Sequence, residues 1–226
     1  MKILRAVGAA VFVLTLAVPG MADSFTLSGG TAGTIPRGAV NEFLSAGYFG
    51  GPAIGGYFGT QVEFNVPLGG TLTIEFFGAE AGYTNQFAYN GSTLFTHNGG
   101  TVIGSNLGSP LASYSTGISG AGTLDFAFIY NSGAGSLLNG ANPDDSGGLA
   151  AQNFFASCDP FGSSAGSGGT TCDTLYLFLD DGGAGPDDDH DDFLVRIHVT
   201  VPEPTSLLLL GSGLMALGIV RRRYNR

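Results

Sequence analysis

Apolar and polar residues alternate one by one along much of the chain between residues 23 and 201. The strongest alternations lie in the segments 61–66, 71–76, 123–130 and 193–201. In the last segment, Phe193, Val195 and Ile197 are separated by single residues of other kinds. A period of two residues is typical of β-strands with one buried face. The pattern therefore predicts antiparallel strands, and we find no comparable helical period in this part of the chain.

Turn residues support the same interpretation. Asn90-Gly91 separates two short apolar segments and predicts a tight hairpin, because both residues tolerate positive φ angles. Asn98-Gly99-Gly100 predicts a second turn before the segment 101–103. The segment 174–179 is apolar on both faces, as in a central strand. Together these features predict an all-β fold, an antiparallel β-sandwich or jelly roll, as one domain over residues 23–201.

Composition indicates a folded domain, and charge limits the partners that this domain can bind. Glycine accounts for 39 of the 226 residues, but 17 Phe and 8 Tyr provide enough apolar surface for a packed core. Between residues 23 and 201 there are 17 acidic residues and only two basic ones, Arg37 and Arg196, which leaves a net charge of −15. So acidic a surface repels phosphate backbones, which excludes nucleic acid as a partner.

Residues 1–22 have the pattern of a secretory signal peptide. Lys2 and Arg5 precede an apolar run at 6–18, and the small residues Gly20 and Ala22 occupy the −3 and −1 positions of a cleavage site. This pattern predicts that the chain is exported and that the mature protein begins at Asp23.

The C-terminus combines three features in a fixed order: Pro202-Glu203-Pro204, an apolar run at 205–220, and Arg221-Arg222-Arg223. The prolines keep the backbone extended and accessible to a protease. A helix of sixteen residues rises about 24 Å, less than the roughly 30 Å hydrocarbon core. The arginines would hold its end in the cytoplasm. We therefore predict a short hydrophobic helix that anchors the chain in the membrane transiently.

This C-terminal segment, residues 202–226, resembles the PEP-CTERM sorting signal. The resemblance implies a Gram-negative bacterium that makes exopolysaccharide, in which a membrane-embedded exosortase recognises Pro202-Glu203-Pro204 and processes the tail. An ordinary single-pass C-terminal anchor is the alternative. The resemblance concerns how the protein is sorted and leaves the activity of the β-domain open.

The two cysteines, Cys158 and Cys172, both lie in the exported part. In an oxidising compartment such a pair predicts a disulfide closing a loop of about 15 residues. The same loop contains the G-x-S-x-G match Gly162-Ser163-Ser164-Ala165-Gly166. A nucleophile elbow needs a strand before it and a helix after it, and the sequence predicts neither. We therefore treat the match as chance and predict a protein without catalytic residues.

The segment 180–192 contains seven aspartates in thirteen residues. Like charges at this density repel, so either solvent or a bound cation must offset them. Carboxylates at alternate positions, such as Asp187, Asp189 and Asp191, can converge on Ca²⁺, which takes six to eight oxygen ligands. The spacing does not match an EF-hand. A solvated acidic hairpin remains the alternative.

The segment also resembles the acidic C-terminal hairpin of exported bacterial β-domains of the DUF4114 type. In this chain His190 stands where that hairpin has an aromatic residue, and Asp191 where it has asparagine. The resemblance implies a structural Ca²⁺ site, with ligands drawn from Asp180, Asp181, Asp187, Asp189, Asp191 and Asp192.

These features predict an exported, non-catalytic protein of the cell surface or extracellular matrix, associated with exopolysaccharide and stabilised by Ca²⁺. The alternative is a carbohydrate-binding module or adhesin. Its stacking residues would come from the repeated Gly-Tyr-Phe-Gly motif, namely Tyr48, Phe49, Tyr57 and Phe58. The sequence leaves open whether these aromatic residues pack inside a loop or face solvent. A hydrolase is a third and weaker alternative.

Overall fold

The computed structural model describes residues 23–37, 40–147, 152–182 and 188–201, together with residues 211, 213–215, 217 and 221–222 of the tail. The predicted signal peptide and Pro202-Glu203-Pro204 lie outside the described residues. The elements are β1 (Phe25–Ser28), β2 (Thr31–Ile35), α1 (Glu42–Ser45), β3 (Ile54–Phe58), β4 (Gln61–Tyr89), β5 (Ser92–Ile103), β6 (Ala112–Thr123), β7 (Phe126–Tyr130), a 3-10 turn (Asn131–Gly133), β8 (Gly135–Leu138), β9 (Asn153–Ser157), β10 (Thr171–Cys172), β11 (Thr174–Asp180) and β12 (Phe193–Thr200). The all-β class is confirmed.

Strand β4 is the longest strand and pairs with more strands than any other described element. It runs for 29 residues and pairs antiparallel with β1, β5, β6, β7 and β12. The predicted strands 61–66 and 71–76 are consecutive parts of β4, and the register with β6 shifts between Val66 and Gly70. A second shift, in the pairing with β12, lies next to Gly78, whose φ is 143°. Such irregularities bend a strand, so β4 can belong to both halves of a curled sheet.

The curl brings strands face to face across the main core. Phe126 of β7 lies 5.3 Å from Phe154 of β9, and Phe128 of β7 lies 6.1 Å from Phe193 of β12, measured between ring centroids. Strand β7 pairs with β4 and β8, and not with β9 or β12. These rings therefore meet through packing across two layers, as in a β-sandwich.

Strand β11 lies in the interior of the sheet, as predicted. It pairs with β9 on one edge and β12 on the other, in the order β4-β12-β11-β9-β3-β2. Leu175, Leu177 and Leu179 contribute to the main core, while Tyr176 and Phe178 contribute to a second core on the opposite face. The side chains of a strand alternate between faces, so a strand buried on both sides is apolar throughout.

The second core is covered by the segment around α1. Asn41 caps this four-residue helix by accepting a hydrogen bond from the Leu44 amide at 3.0 Å. Phe43, inside the helix, is fully buried against this face. The packing of α1 holds its first residue, Glu42, close to the β11–β12 connection.

One of the two predicted turns is confirmed and the other is wrong. Asn90 and Gly91 form the β4–β5 hairpin with φ angles of 47° and 71°. Asn98-Gly99-Gly100, by contrast, lies inside β5, opposite a register shift between Ala81 and Thr84. Gly99 and Gly100 do have positive φ angles, 85° and 91°. Their freedom produces a bulge at this position, because glycine suits both structures.

Cys158 and Cys172 form the predicted disulfide, with their Cα atoms 5.6 Å apart. The bond joins the chain after β9 to β10, and Cys172 pairs with Phe25 of β1. The disulfide therefore links the edge strand β10 to the end of β9, a strand that is distant from β10 in the sheet order.

Replacing both cysteines with serine should lower the free energy of unfolding by about 3 kcal/mol, because the unfolded chain loses a constraint on a loop of about 15 residues. Urea unfolding of the exported protein measures the loss. As a control, a reductant should destabilise the native protein and leave the double variant unchanged. Equal stability of the two proteins would contradict the prediction.

Candidate metal centre

The described residues of the connection between β11 and β12 are largely buried. Asp180, Asp181, Asp189 and Asp191 are all buried, and the side chain of Asp191 has no exposed surface. Asp187 lies outside the described residues. Backbone hydrogen bonds hold the connection: the Arg37 amide donates to the Asp188 carbonyl at 2.7 Å, the Glu80 amide donates to the Asp191 carbonyl at 2.9 Å, and the Asp192 amide donates to the Leu179 carbonyl at 3.2 Å. These four aspartates are therefore not solvated, so the alternative of a solvated acidic hairpin does not hold for them.

Three carboxylates from two distant parts of the chain converge on one side of the connection. Oxygen atoms of Glu42, Asp189 and Asp191, here called the carboxylate cluster, all lie within 4.8 Å of one another. The Glu42 amide donates to Asp191 Oδ2 at 2.7 Å, and Asn41 Nδ2 donates to the Asp189 carbonyl at 2.8 Å. Asp191 Oδ1 is buried without a hydrogen-bond partner. Burial raises the pKa of Asp191, with contributions from Glu42 and Asp189.

A second group lies at the end of β11. Asp180, Asp188 and His190, here called the histidine cluster, also have ligand atoms within 4.8 Å of one another. His190 Nδ1 lies 3.4 Å from Asp188 Oδ1 and 4.0 Å from Asp180 Oδ2. Burial raises the pKa of Asp180 to about 7 and lowers the pKa of His190 to about 3. The ring of His190 packs at 5.5 Å from Phe58 and 6.0 Å from Phe155, measured between ring centroids.

The remaining predicted ligands, Asp181 and Asp192, belong to a hydrogen-bond network beside these clusters. The Asp181 amide donates to Asp192 Oδ2 at 2.7 Å, and Asn85 Nδ2 donates to Asp181 Oδ2 at 2.8 Å. Asn131 joins the network by donating from Nδ2 to the Asp181 carbonyl at 3.2 Å. Burial, followed by the charge of Asp181, raises the pKa of Asp192 to about 9. The single ligand set predicted from the sequence is thus divided among three environments.

Positive charge near the clusters comes from Arg37. Its Nε lies 3.2 Å from Asp188 Oδ2, and one terminal nitrogen lies 3.5 Å from Asp145 Oδ2. The guanidinium also stacks 4.2 Å from the centroid of Phe58. The other basic residue between 23 and 201, Arg196, donates to Glu75 at 2.6 Å. One arginine therefore faces a concentration of carboxylates too large for it to neutralise.

Sequence reasoning missed Glu42, and it left Asp188 and His190 out of the ligand set. Glu42 and Asp191 are 149 residues apart, so spacing along the chain carries no trace of their contact. Asp188 and His190 alternate with Asp189 and Asp191, and the two pairs belong to different clusters. The alternation within 188–191 could have indicated two groups of ligands, but the sequence analysis predicted a single set.

Three of the four aromatic residues considered for glycan stacking are buried, so for these three the alternative of an exposed stacking surface is wrong. Tyr48, Phe49 and Phe58 are buried, and only Tyr57 is partly exposed. Phe49 packs 5.6 Å from Phe178 and Phe58 packs 4.7 Å from Phe155, measured between ring centroids. These rings cover the second face of the sheet, so they offer no shared platform to a sugar ring.

The tail supplies the evidence for sorting. Residues 200–223 match the family described as the PEP-CTERM protein-sorting motif. The chain carries a PEP-CTERM sorting signal. Exosortase recognises such signals, so the protein is an exported exosortase substrate that passes through a transient membrane-anchored step in a Gram-negative bacterium. No curated protein matches the chain.

The PEP-CTERM match begins at Thr200, the last residue of β12. The described residues of the tail, 211, 213–215, 217 and 221–222, are helical. Among the residues that the structure describes, no helix is both long enough and apolar enough to cross a membrane.

Proposed function

We propose that the β-domain of this PEP-CTERM protein is a non-catalytic component of the cell surface or the exopolysaccharide matrix. In this proposal Ca²⁺ binds the carboxylate cluster and stiffens the β11–β12 connection. The sorting signal supports the location outside the cytoplasm. The main observation in favour of a Ca²⁺ site concerns Asp191. Its Oδ1 atom is buried without a hydrogen-bond partner, and its carboxylate lies close to those of Glu42 and Asp189.

The donor set suits Ca²⁺. All three side chains offer oxygen, which is the ligand that hard cations prefer. Two ligands on opposite sides of Ca²⁺ are about 4.8 Å apart when each bond is about 2.4 Å long, so atoms within 4.8 Å of one another can share one ion. Three carboxylates supply up to six oxygens, and water can complete the coordination.

Burial adds a second argument. An ionised carboxylate is expensive to remove from water unless an opposite charge is close to it. Arg37 is committed to Asp145 and Asp188, on the histidine cluster's side of the connection. A divalent cation at the carboxylate cluster would supply the missing charge and link α1 to the β11–β12 connection. The mM Ca²⁺ outside cells is enough for such a structural site, since extracellular modules bind with dissociation constants of about 10⁻⁴–10⁻³ M.

Association with exopolysaccharide can be tested by co-sedimentation. The exported protein is mixed with exopolysaccharide purified from the producing bacterium, in Ca²⁺ and in EDTA, with dextran as a control polymer. We expect the protein to sediment with the native polymer in Ca²⁺, and less of it in EDTA. Glu42→Gln should weaken the Ca²⁺-dependent fraction, whereas Tyr57→Ala should leave it unchanged.

Two results of this experiment would argue against the proposal. Protein that stays in the supernatant under every condition would contradict the association with exopolysaccharide. Binding that survives EDTA but is lost in Tyr57→Ala would favour a carbohydrate-binding module acting through the one partly exposed aromatic residue of the repeated motif.

A further inference from the structure

The histidine cluster has a chemistry that the carboxylate cluster lacks, because it contains an imidazole. His190 Nε2 lies 2.9 Å from Asn153 Oδ1. An amide oxygen only accepts hydrogen bonds, so Nε2 carries the ring proton and donates it to Asn153. The other nitrogen, Nδ1, therefore has a free lone pair.

Two carboxylate oxygens lie near His190 Nδ1. Asp188 Oδ1 lies 3.4 Å away and Asp180 Oδ2 lies 4.0 Å away. His190 is fully buried, and both His190 Nδ1 and Asp188 Oδ1 lack a hydrogen-bond partner. Three electron-rich atoms that face one another in a buried space repel, unless a positive charge lies between them.

We propose that Asp180, Asp188 and His190 bind a divalent transition-metal ion of the Zn²⁺ type, at a site separate from the Ca²⁺ site. Zn²⁺ takes imidazole nitrogen and carboxylate oxygen at about 2.0–2.2 Å, so neighbouring tetrahedral ligands are about 3.4 Å apart. The observed Nδ1 to Oδ1 distance is 3.4 Å. Three protein ligands leave the fourth tetrahedral position for water.

The surroundings fit a metal-bound histidine. A metal-ligating imidazole commonly donates its second N–H to a carbonyl or carboxylate, which fixes the ring orientation, and Asn153 accepts that bond here. Arg37 is shared between Asp188 and Asp145, so a divalent ion would supply positive charge that this group of carboxylates lacks.

The ligand types separate this site from the Ca²⁺ site. Imidazole suits Zn²⁺, Cu²⁺, Fe²⁺ and Ni²⁺, whereas a set of oxygen ligands alone suits Ca²⁺ and Mg²⁺. The ion would fasten the end of β11 to the β11–β12 connection and, through Asn153, to the start of β9. The connection would then carry two different ions on its two sides, each with a structural role.

Titration of the metal-free exported protein with Co²⁺ tests this inference, because tetrahedral Co²⁺ has a visible absorption that reports its ligands. We expect one Co²⁺ per chain, displaced by Zn²⁺ and retained in a large excess of Ca²⁺. Asp188→Asn should weaken Co²⁺ binding more than about 100-fold, since loss of a direct ligand should exceed the effect of losing an outer hydrogen bond. Glu42→Gln, which changes only the carboxylate cluster, should leave the absorption unchanged.

Two controls keep the outcome decisive. Near-ultraviolet circular dichroism establishes that Asp188→Asn is folded. X-ray absorption at the cobalt edge of the unaltered protein detects imidazole scattering without any variant. The inference would be overturned by the lack of a stoichiometric Co²⁺ complex, by a complex without imidazole scattering, or by unchanged affinity in folded Asp188→Asn.

Discussion

Replacing Pro202, Glu203 and Pro204 together with alanine should leave the exported chain as an unprocessed precursor in the inner membrane. The tripeptide lies within the matched sorting motif at 200–223. The two prolines lack amide donors and fix φ, properties that disfavour regular secondary structure and suit recognition by a membrane enzyme. Alanine removes both properties and favours continuation of the following helix. Fractionation and immunoblotting of the tail measure the effect.

The matched control replaces Thr205 and Ser206, which directly follow the tripeptide, with alanine. This variant should be processed and released from the inner membrane like the native chain. A strain without exosortase should accumulate the same precursor as the triple variant. Normal removal of the tail from the triple variant would show that exosortase does not read Pro202-Glu203-Pro204 in this protein.

Ca²⁺ should raise the melting temperature of the exported protein, relative to EDTA. A ligand that binds only the folded state stabilises it by about 1.4 kcal/mol at a free concentration of about ten times its dissociation constant, which mM Ca²⁺ reaches for a dissociation constant of about 10⁻⁴ M. For a domain of this size the gain corresponds to a rise of about 3 to 6 °C. The physical reason is that an ion bound between Glu42, Asp189 and Asp191 offsets the repulsion of buried carboxylates. Differential scanning calorimetry measures the shift.

Three comparisons test whether the shift belongs to the carboxylate cluster. Mg²⁺ at the same concentration should have a much smaller effect, because it prefers six ligands in a tight octahedron and gives up water reluctantly. Glu42→Gln should remove most of the shift. Asp125→Asn, which removes one charge from an exposed position, should keep it. An equal rise with Mg²⁺, or a full rise in Glu42→Gln, would mean that Ca²⁺ acts by general screening of the acidic domain.

The fold could be predicted from the sequence wherever one local pattern has one structural solution. The segment 174–179 is apolar on both faces, and a position inside the sheet is what buries both. Asn90-Gly91 suits a two-residue hairpin, which the structure has. Asn98-Gly99-Gly100 was misleading because positive φ angles serve bulges as well as turns, and only the partner strand decides between them.

The candidate site was less accessible to sequence reasoning. The density of aspartates in 180–192 indicated a region of unusual electrostatics, but burial decides what each carboxylate does. Glu42 joins the carboxylate cluster because the packing of Phe43 places α1 beside the β11–β12 connection. Tyr48 and Phe49 pack on that same face. Contacts of this kind arise from tertiary packing, so a single sequence does not reveal them.

The position of β12 in the sheet has a consequence for the time at which the protein can fold. This strand is the last before the sorting signal, yet it lies between β4 and β11. The sheet therefore cannot close until the end of the domain has crossed the inner membrane. The pairing of β12 with β4 joins residues more than 100 positions apart in the chain, and contacts between such distant residues slow folding. The sorting motif begins at Thr200, the last residue of β12, so this strand is the part of the domain next to the segment that exosortase processes. We therefore expect insertion of this central strand into the sheet to overlap in time with the processing of the tail by exosortase.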